Sequence, residues 1–114
     1  MGIVTFEPNG GQVPWHNHEQ EEVYLILEGS GQFAIGDEVQ QISAGEVVFV
    51  PPGTFHQLTN LGDVPLKMVY IYGPAGIVDH WKHELAGTLP KAGIDAPAMP
   101  EGAAAQHTTT DEKP

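Results

Sequence analysis

Short apolar runs separated by turn residues fill the sequence up to residue 72. Residues 23–27, 47–50 and 66–72 are rich in valine, isoleucine, leucine and tyrosine, and each run ends at glycine, proline or a polar turn. Strands of this length at intervals of about eight to twelve residues are typical of a sandwich or barrel. We therefore predict an all-β domain over residues 1–74.

The run at residues 23–27 is apolar at both strand parities, which indicates that both of its faces are covered. Tyr24 and Ile26 share the parity of Glu22 and are expected to point inward, whereas Val23, Leu25 and Leu27 point outward. The outward face predicts a homodimer in which two sheets pack back to back. Cover by the second sheet of the same sandwich, or by the C-terminal tail, is the alternative.

The composition changes after residue 73. Residues 75–87 predict a short amphipathic helix packed on the barrel, with Ile77, Trp81 and Leu85 on one face. Residues 88–114 are rich in proline, alanine, glycine and threonine and predict an irregular or disordered tail, draped on the barrel if ordered. His80 and His83 share a helix face, which suits a solvated surface better than a second metal site or a lid over the barrel mouth.

Most of the candidate metal ligands lie between residues 10 and 29. His16, His18 and Glu22 lie within seven residues of one another. Residues two apart on a strand share a face, so both imidazoles project the same way and Glu22 keeps that parity if no bulge intervenes. A third histidine, His56, follows the turn-forming residues 51–53. Imidazoles and a carboxylate that converge on one side of a sheet suit a divalent transition metal.

These two stretches resemble the two motifs of the cupin superfamily. The ten fixed positions of those motifs are filled at the expected spacing by Gly10, His16, His18, Glu22, Gly29, Gly45, Pro51, Gly53, His56 and Asn60. The resemblance covers roughly residues 5–72. It implies a single-domain jelly-roll β-barrel. It also implies one divalent metal per chain, namely Fe, Mn, Ni, Co, Cu or Zn, held by His16, His18, Glu22 and His56.

The remaining site candidates follow from the strand pattern. Glu22 is the candidate catalytic residue, either as a metal ligand alone or as a base. Trp15 is offset by one from the ligand parity and is expected to pack on the outer side. Several further residues are candidates for the pocket wall or for contact with the ligands, although core packing alone is the alternative for the aromatic ones: Tyr24, Gln32, Phe49, Met68, Tyr70 and Tyr72.

Charge and composition narrow the partners. The 114-residue sequence has a formal net charge of -11, which argues against nucleic acid because few cations are available to neutralise phosphates. It has no cysteine and no arginine. Neither a run of eighteen apolar residues nor a signal-peptide pattern is visible, so we expect no membrane partner and a cytoplasmic location.

A small-molecule substrate remains as the expected partner. Bidentate binding of carboxylate or phosphate is mainly a task for arginine, so sugar-phosphate and oxalate-type substrates are disfavoured. Open positions on the ion would bind oxygen or a chelating substrate. The favoured interpretation is a dioxygenase acting on a small enol, diketone or phenolic compound. The alternatives are a metal-dependent isomerase, epimerase or lyase, and a cupin that binds a small molecule without converting it.

Overall fold

Eight antiparallel strands form two four-stranded sheets that face each other. The computed structural model describes residues 1–73, 82–83 and 86–107. The strands are β1 (Gly2–Phe6), β2 (Gln12–His16), β3 (Glu21–Glu28), β4 (Ser30–Ile35), β5 (Glu38–Ser43), β6 (Val47–Val50), β7 (His56–Thr59) and β8 (Leu66–Gly73). One sheet has the order β1-β8-β3-β6 and the other has the order β2-β7-β4-β5. The predicted all-β jelly roll is confirmed.

The core lies between the sheets because their inward positions are apolar. On β3, Tyr24 and Ile26 are buried as predicted, and Leu27 is exposed. Their partners on β6 and β8 continue the same inward layers, since Tyr24 pairs with Val48 and Tyr70, and Ile26 pairs with Met68. The opposite sheet contributes Phe33, Ile42 and Leu58. Burial of such side chains stabilises the fold by about 1.5–3 kcal/mol each.

The pairing of β2 with β7 is irregular where β2 approaches the histidines. Gln12 and Val13 pair with Thr59 and Leu58, and the register then shifts before His16 pairs with His56. A bulge of this kind bends a strand and redirects its side chains, and bulges are common beside functional sites. The shift therefore decides where His16 points.

The C-terminal segment lies against the outer side of the β2-β7-β4-β5 sheet. Residues 88–107 are irregular apart from one bridge between Ala92 and Ala96, and side chains of β2, β4 and β7 donate hydrogen bonds to their carbonyl groups. The predicted helix at residues 75–87 lies largely outside the described residues. Among the residues that are described, no helix is long and apolar enough to cross a membrane.

Two leucines on either side of the end of β7 provide a test of the core. Leu58 is 0% exposed and Leu61 is 56% exposed. Leu58→Ala should lower the free energy of unfolding by about 2–5 kcal/mol, because it removes buried methyl groups and leaves a cavity. Leu61→Ala should change it by less than about 0.5 kcal/mol. Urea denaturation measures both, and equal effects would contradict this location of the core.

Candidate metal centre

Three histidines converge at one end of the space between the sheets. His16 is the last residue of β2 and His56 is the first of β7, and the two are paired in register. His18 belongs to the loop that joins β2 to β3, so the chain leaves the strand before reaching it. One ligand nitrogen of each ring lies within 4.8 Å of those of the other two. The strand argument assumed that His18 shares a strand with His16; the structure instead places His18 in a loop, and its ring centroid lies 5.4 Å from that of His16 and 5.1 Å from that of His56.

Each of the three rings is held by a carbonyl oxygen two residues away. The Nδ1 atoms of His16, His18 and His56 lie 2.6, 2.7 and 2.8 Å from the carbonyl oxygens of Pro14, Gln20 and Thr54. A carbonyl only accepts hydrogen bonds, so each Nδ1–H donates and each Nε2 is the nitrogen available to an ion. This arrangement fixes the tautomer and the ring orientation that metal coordination requires.

The two loops that carry the histidines are joined by backbone and side-chain hydrogen bonds. The N–H of Gly53 donates to the carbonyl of His18 over 2.7 Å. Nδ2 of Asn17 donates to the carbonyl of Gly53 over 3.1 Å. Gly53 has a φ angle of 74°, a conformation that residues with a Cβ adopt at a cost. The glycine of the second stretch therefore fixes His18 in position relative to His56.

Glu22 is buried beside the imidazoles. Its Oε1 lies 3.1 Å from Nε2 of His18 and 3.4 Å from Nε2 of His56. Burial opposes ionisation of Glu22, but the hydrogen bond from His18 and the nearby imidazoles of His18 and His56 outweigh it and lower the pKa of the carboxyl group. Burial likewise opposes protonation of His18, and the hydrogen bond and the charge of Glu22 overcome it and raise the pKa of that imidazole. The cluster therefore favours an ionised Glu22.

Two tyrosines border the carboxylate. Tyr24 is fully buried, and burial followed by the negative charge of Glu22 raises its pKa well above the ordinary value. Tyr72 is half-buried, and the same two causes raise its pKa as well. Both hydroxyl groups therefore stay protonated beside the carboxylate of Glu22. The ring of Tyr72 also packs edge-on against His18, with centroids 5.7 Å apart.

The donor set fits a divalent transition metal. Nε2 of His56 is buried and, within the described part of the chain, has no hydrogen-bond partner of ordinary geometry. A buried polar atom in that condition costs free energy unless a ligand satisfies it. Three imidazole nitrogens and a carboxylate oxygen are ligands that iron, manganese, nickel, cobalt, copper and zinc accept.

The structure distributes the other predicted site residues differently. Tyr70 lies next to Tyr72, with ring centroids 5.3 Å apart, but it packs against the hydrophobic core and its hydroxyl lies over Gly2 of β1. Met68 lies one layer deeper, in the hydrophobic core opposite Ile26. Asn60 is buried, but its amide donates to the carbonyls of Phe6 and Val64 and so stabilises a turn.

Gln32 and Phe49 do not reach the histidines. Gln32 has the opposite parity to the buried Phe33, and its amide binds the backbone of Gly102 and Ala104 outside the sheet. Phe49 has the opposite parity to Val48 and Val50 and is 52% exposed. It borders a cavity of about 490 Å³ between β5 and β6. In both cases strand parity, which depends on a register that the sequence does not specify, directs the side chain outward.

The groups that sequence reasoning missed are backbone atoms. The carbonyls of Pro14, Gln20 and Thr54 orient the rings, and the side chains of these residues do not indicate that role. The signal that could have found them is local, because each ring binds the carbonyl of a residue two positions away. Of the two histidines at the predicted helix, His83 is exposed and binds Thr88, and His80 lies outside the described residues.

Curated relatives of several kinds match this part of the chain. Protein MJ1618 of Methanocaldococcus jannaschii, described as uncharacterized, is 38% identical over 63 residues, or 54% of this chain and 50% of that protein. The acireductone dioxygenase of Puccinia graminis is 33% identical over 63 residues, or 50% and 35%. The oxalate-binding protein of Thermotoga maritima is 37% identical over 65 residues, or 56% and 54%. This chain thus spans about half the length, or less, of these relatives.

A solved structure and a family model match the same part of the chain. A crystal structure from Thermotoga maritima, described as a predicted oxalate decarboxylase, superposes with a TM-score of 0.59 at 31% identity and covers 61% of each chain. The family model for the cupin domain, Cupin_2, matches residues 2–72, which contain all three histidines of the cluster and Glu22. The chain therefore belongs to the cupin family and contains a group of histidines that could bind a metal ion.

Proposed function

We propose that this chain is a metal-dependent enzyme that acts on a small organic molecule able to chelate the metal, with dioxygenase-type chemistry. The observation that supports this proposal is the orientation of the three imidazoles. Each Nδ1 is bound to a carbonyl, and the three Nε2-bearing edges meet beside a buried carboxylate. That geometry prepares the site to bind a cation with little reorganisation.

His16, His18, His56 and Glu22 would hold one ion per chain. A divalent transition metal held there would supply a Lewis acid, or a redox centre if the metal is iron. The buried environment of His56 and Glu22 excludes water from the side of the core. Substrate therefore approaches from the side of half-buried Tyr72.

The chain's own groups suit the deprotonation and orientation of an acidic substrate. Glu22 is ionised beside the imidazoles, so its carboxylate can either complete the ligand set or, when it is not bound to the ion, accept a proton from an enol or phenol hydroxyl. The hydroxyl of Tyr72 stays protonated and can donate a hydrogen bond to a substrate oxygen beside Glu22. Tyr24 lies on the core side of Glu22 and keeps its hydroxyl protonated, so it can donate a hydrogen bond to the carboxylate.

The comparisons support the chemistry at the level of analogy. One relative is an acireductone dioxygenase, whose name indicates an oxygen-dependent reaction on an oxygen-rich substrate. The absence of arginine from the sequence disfavours substrates whose binding depends on a bidentate guanidinium contact. Together these observations favour a small enol, diketone or phenolic compound that binds mainly through the metal.

A second candidate is a cupin that binds a small molecule without converting it. It is favoured by the relative from Thermotoga maritima that is named an oxalate-binding protein. In this chain a dicarboxylate would rely on the metal, because no arginine is present. Isomerase, epimerase or lyase chemistry with zinc or manganese would use the same ligands and Glu22 as the base, without oxygen.

We further propose that the chain forms a homodimer through the outer side of the β1-β8-β3-β6 sheet. The pairing places apolar side chains in two rows across this side; the first is Ile3, Val69, Leu25 and Val47, and the second is Ile71, Val23 and Phe49. Ile3, Val47, Phe49 and Ile71 are exposed. A contiguous apolar patch that crosses all four strands suits a self-complementary interface between two copies.

Removal of one histidine tests the metal centre. His56→Ala should abolish stoichiometric binding of Co²⁺ or Ni²⁺, because Nε2 of His56 is one of the proposed ligand atoms and the side chain of alanine cannot replace it. His83→Ala is the matched control, since His83 is exposed and lies outside the cluster. Isothermal titration calorimetry with the metal-depleted protein measures both. Tight binding by His56→Ala would contradict the proposed ligand set.

Oxygen consumption tests the reaction class. The Fe(II)-loaded protein should take up oxygen with at least one member of a panel of 1,3-diketones, enediols and catechols. Glu22→Gln should slow that uptake by about 100-fold or more, because it removes the base; the iron content of the variant is measured in parallel, and His83→Ala should retain the full rate. Bound iron without uptake on the whole panel would reject the dioxygenase proposal in favour of the alternatives above.

A charge on the outer sheet face tests the dimer. Phe49→Asp places a carboxylate in the second apolar row and should convert a dimer into a monomer, because burial of an unpaired charge is costly. Leu61→Asp, on an exposed leucine outside the two rows, should leave the dimer intact. Light scattering coupled to size-exclusion chromatography reads the mass. A monomeric wild-type chain would disprove the interface.

A further inference from the structure

The end of the described tail is bound by glutamine side chains of the β2-β7-β4-β5 sheet. We refer to residues 97–107 as the strap. Gln32 donates to the carbonyl of Gly102 over 3.0 Å and accepts from the N–H of Ala104 over 2.5 Å. Gln12 donates to the carbonyl of Ala105 over 3.3 Å and accepts from the N–H of His107 over 2.7 Å.

Through these contacts, side-chain amides of the sheet bind the N–H and carbonyl groups of the strap. Gln57 adds a third amide, which donates to the carbonyl of Ala104 over 3.0 Å. The three glutamines come from adjacent strands, β2, β7 and β4, so the strap crosses the strands on the outer side of the sheet. Alanine at positions 103–105 lets the backbone approach closely. Gln57 lies next to His56 in sequence and faces the opposite side.

A fourth glutamine, within the strap, reaches the irregular part of β2. The amide of Gln106 donates to the carbonyl of Trp15 over 3.3 Å and to the carbonyl of Pro90 over 2.9 Å, and its oxygen accepts from the N–H of Ala92. Nε1 of Trp15 donates to the carbonyl of Pro97 over 2.9 Å. The indole is fully buried. Trp15 is thus bound by the strap through both its backbone and its side chain.

The position of Trp15 connects the strap with the metal centre. Trp15 lies in the interval between Val13 and His16 where the β2–β7 register shifts, so strand pairing does not fix it. The preceding residue, Pro14, provides the carbonyl that orients the ring of His16. A movement of the Pro14–Trp15 peptide would therefore rotate the imidazole.

We propose that the strap positions His16 in the metal centre, with Gln106 as the positioning residue. The contact of Gln106 with the carbonyl of Trp15 holds the bulge in the geometry in which Pro14 accepts from Nδ1 of His16. The strap acts from the outer side of the sheet, through Trp15 and the carbonyl of Pro14. This inference rests on the proposed metal function. It adds to that function a role for the C-terminal segment.

The test uses Gln106→Met in the full-length chain, which keeps the length of the side chain and removes its hydrogen bonds. Gln41→Met, at an exposed position of β5, is the matched control. We expect Gln106→Met to weaken Co²⁺ binding by about tenfold and to change the visible absorption bands of the bound Co²⁺, as loss of an outer partner of a ligand does. A general loss of stability would not alter those bands in the folded, metal-loaded protein.

A second readout does not depend on the metal. In ¹⁵N-histidine NMR spectra of the metal-depleted protein, Gln106→Met should shift the Nδ1 resonance of His16 and speed the exchange of its proton, while His56 changes little. Unchanged His16 resonances together with unchanged Co²⁺ affinity would overturn the inference. A wild-type chain that binds no metal would instead defeat the proposed function, and the His16 resonances would still decide whether the strap positions the ring.

Gln32→Met provides a second variant if Gln106→Met does not fold. It removes two strap hydrogen bonds away from Trp15, so it should alter the His16 resonance and the Co²⁺ affinity in the same direction and by a smaller factor. No change in either quantity would count against the strap as a positioning element.

Discussion

The hydrogen bond from each ligand imidazole to a carbonyl two residues away is the constraint on which the site depends. Burial of three histidines and a glutamate at the end of an apolar core is costly unless each polar atom has a partner. Carbonyls of Pro14, Gln20 and Thr54 satisfy the three Nδ1–H groups. The Nε2 atoms thereby face Glu22 and one another, where they could bind a cation. Each imidazole thus has one nitrogen bound by the protein and one that a ligand could bind. A site of this kind gains free energy when a ligand fills it.

The backbone around the histidines is shaped to provide those carbonyls. His16 follows a bulge, His18 sits in a loop, and His56 follows a turn whose Gly53 binds the carbonyl of His18. None of the three ring-orienting carbonyls is part of a regular strand pair, which is why they are free to bind a ring. Irregular backbone at the edge of a sheet is therefore a requirement of this site and not a flaw of the fold.

The strands could be predicted from the sequence because they depend on short-range patterns, whereas His56 was joined to His16, His18 and Glu22 through the resemblance of two separate stretches to the cupin motifs. Alternating and continuous apolar runs predict the strands, and the parity of Glu22, Tyr24 and Ile26 along β3 needs no knowledge of its neighbours. Gln32 and Phe49 were misplaced because the direction of a side chain on β4 or β6 depends on register against other strands. Trp15 was expected on the outer side of the sheet, and it does leave the ligand parity. Its complete burial depends on contacts with residue 97 and beyond, which are far away in sequence.

The two outer sheet faces carry different chemistry, and the difference determines what can cover each of them. The outer side of the β2-β7-β4-β5 sheet presents Gln12, Gln32 and Gln57, whose amides pair with the peptide groups of a single extended segment. The outer side of the β1-β8-β3-β6 sheet presents aliphatic and aromatic side chains. These cannot form hydrogen bonds with the peptide groups of an extended segment, and burial against another apolar surface is what stabilises them. The cover by the C-terminal tail that was considered for the apolar side is thus found on the amide-rich side. An extended tail suits amides because it brings unpaired peptide groups, whereas a second folded copy would bring side chains.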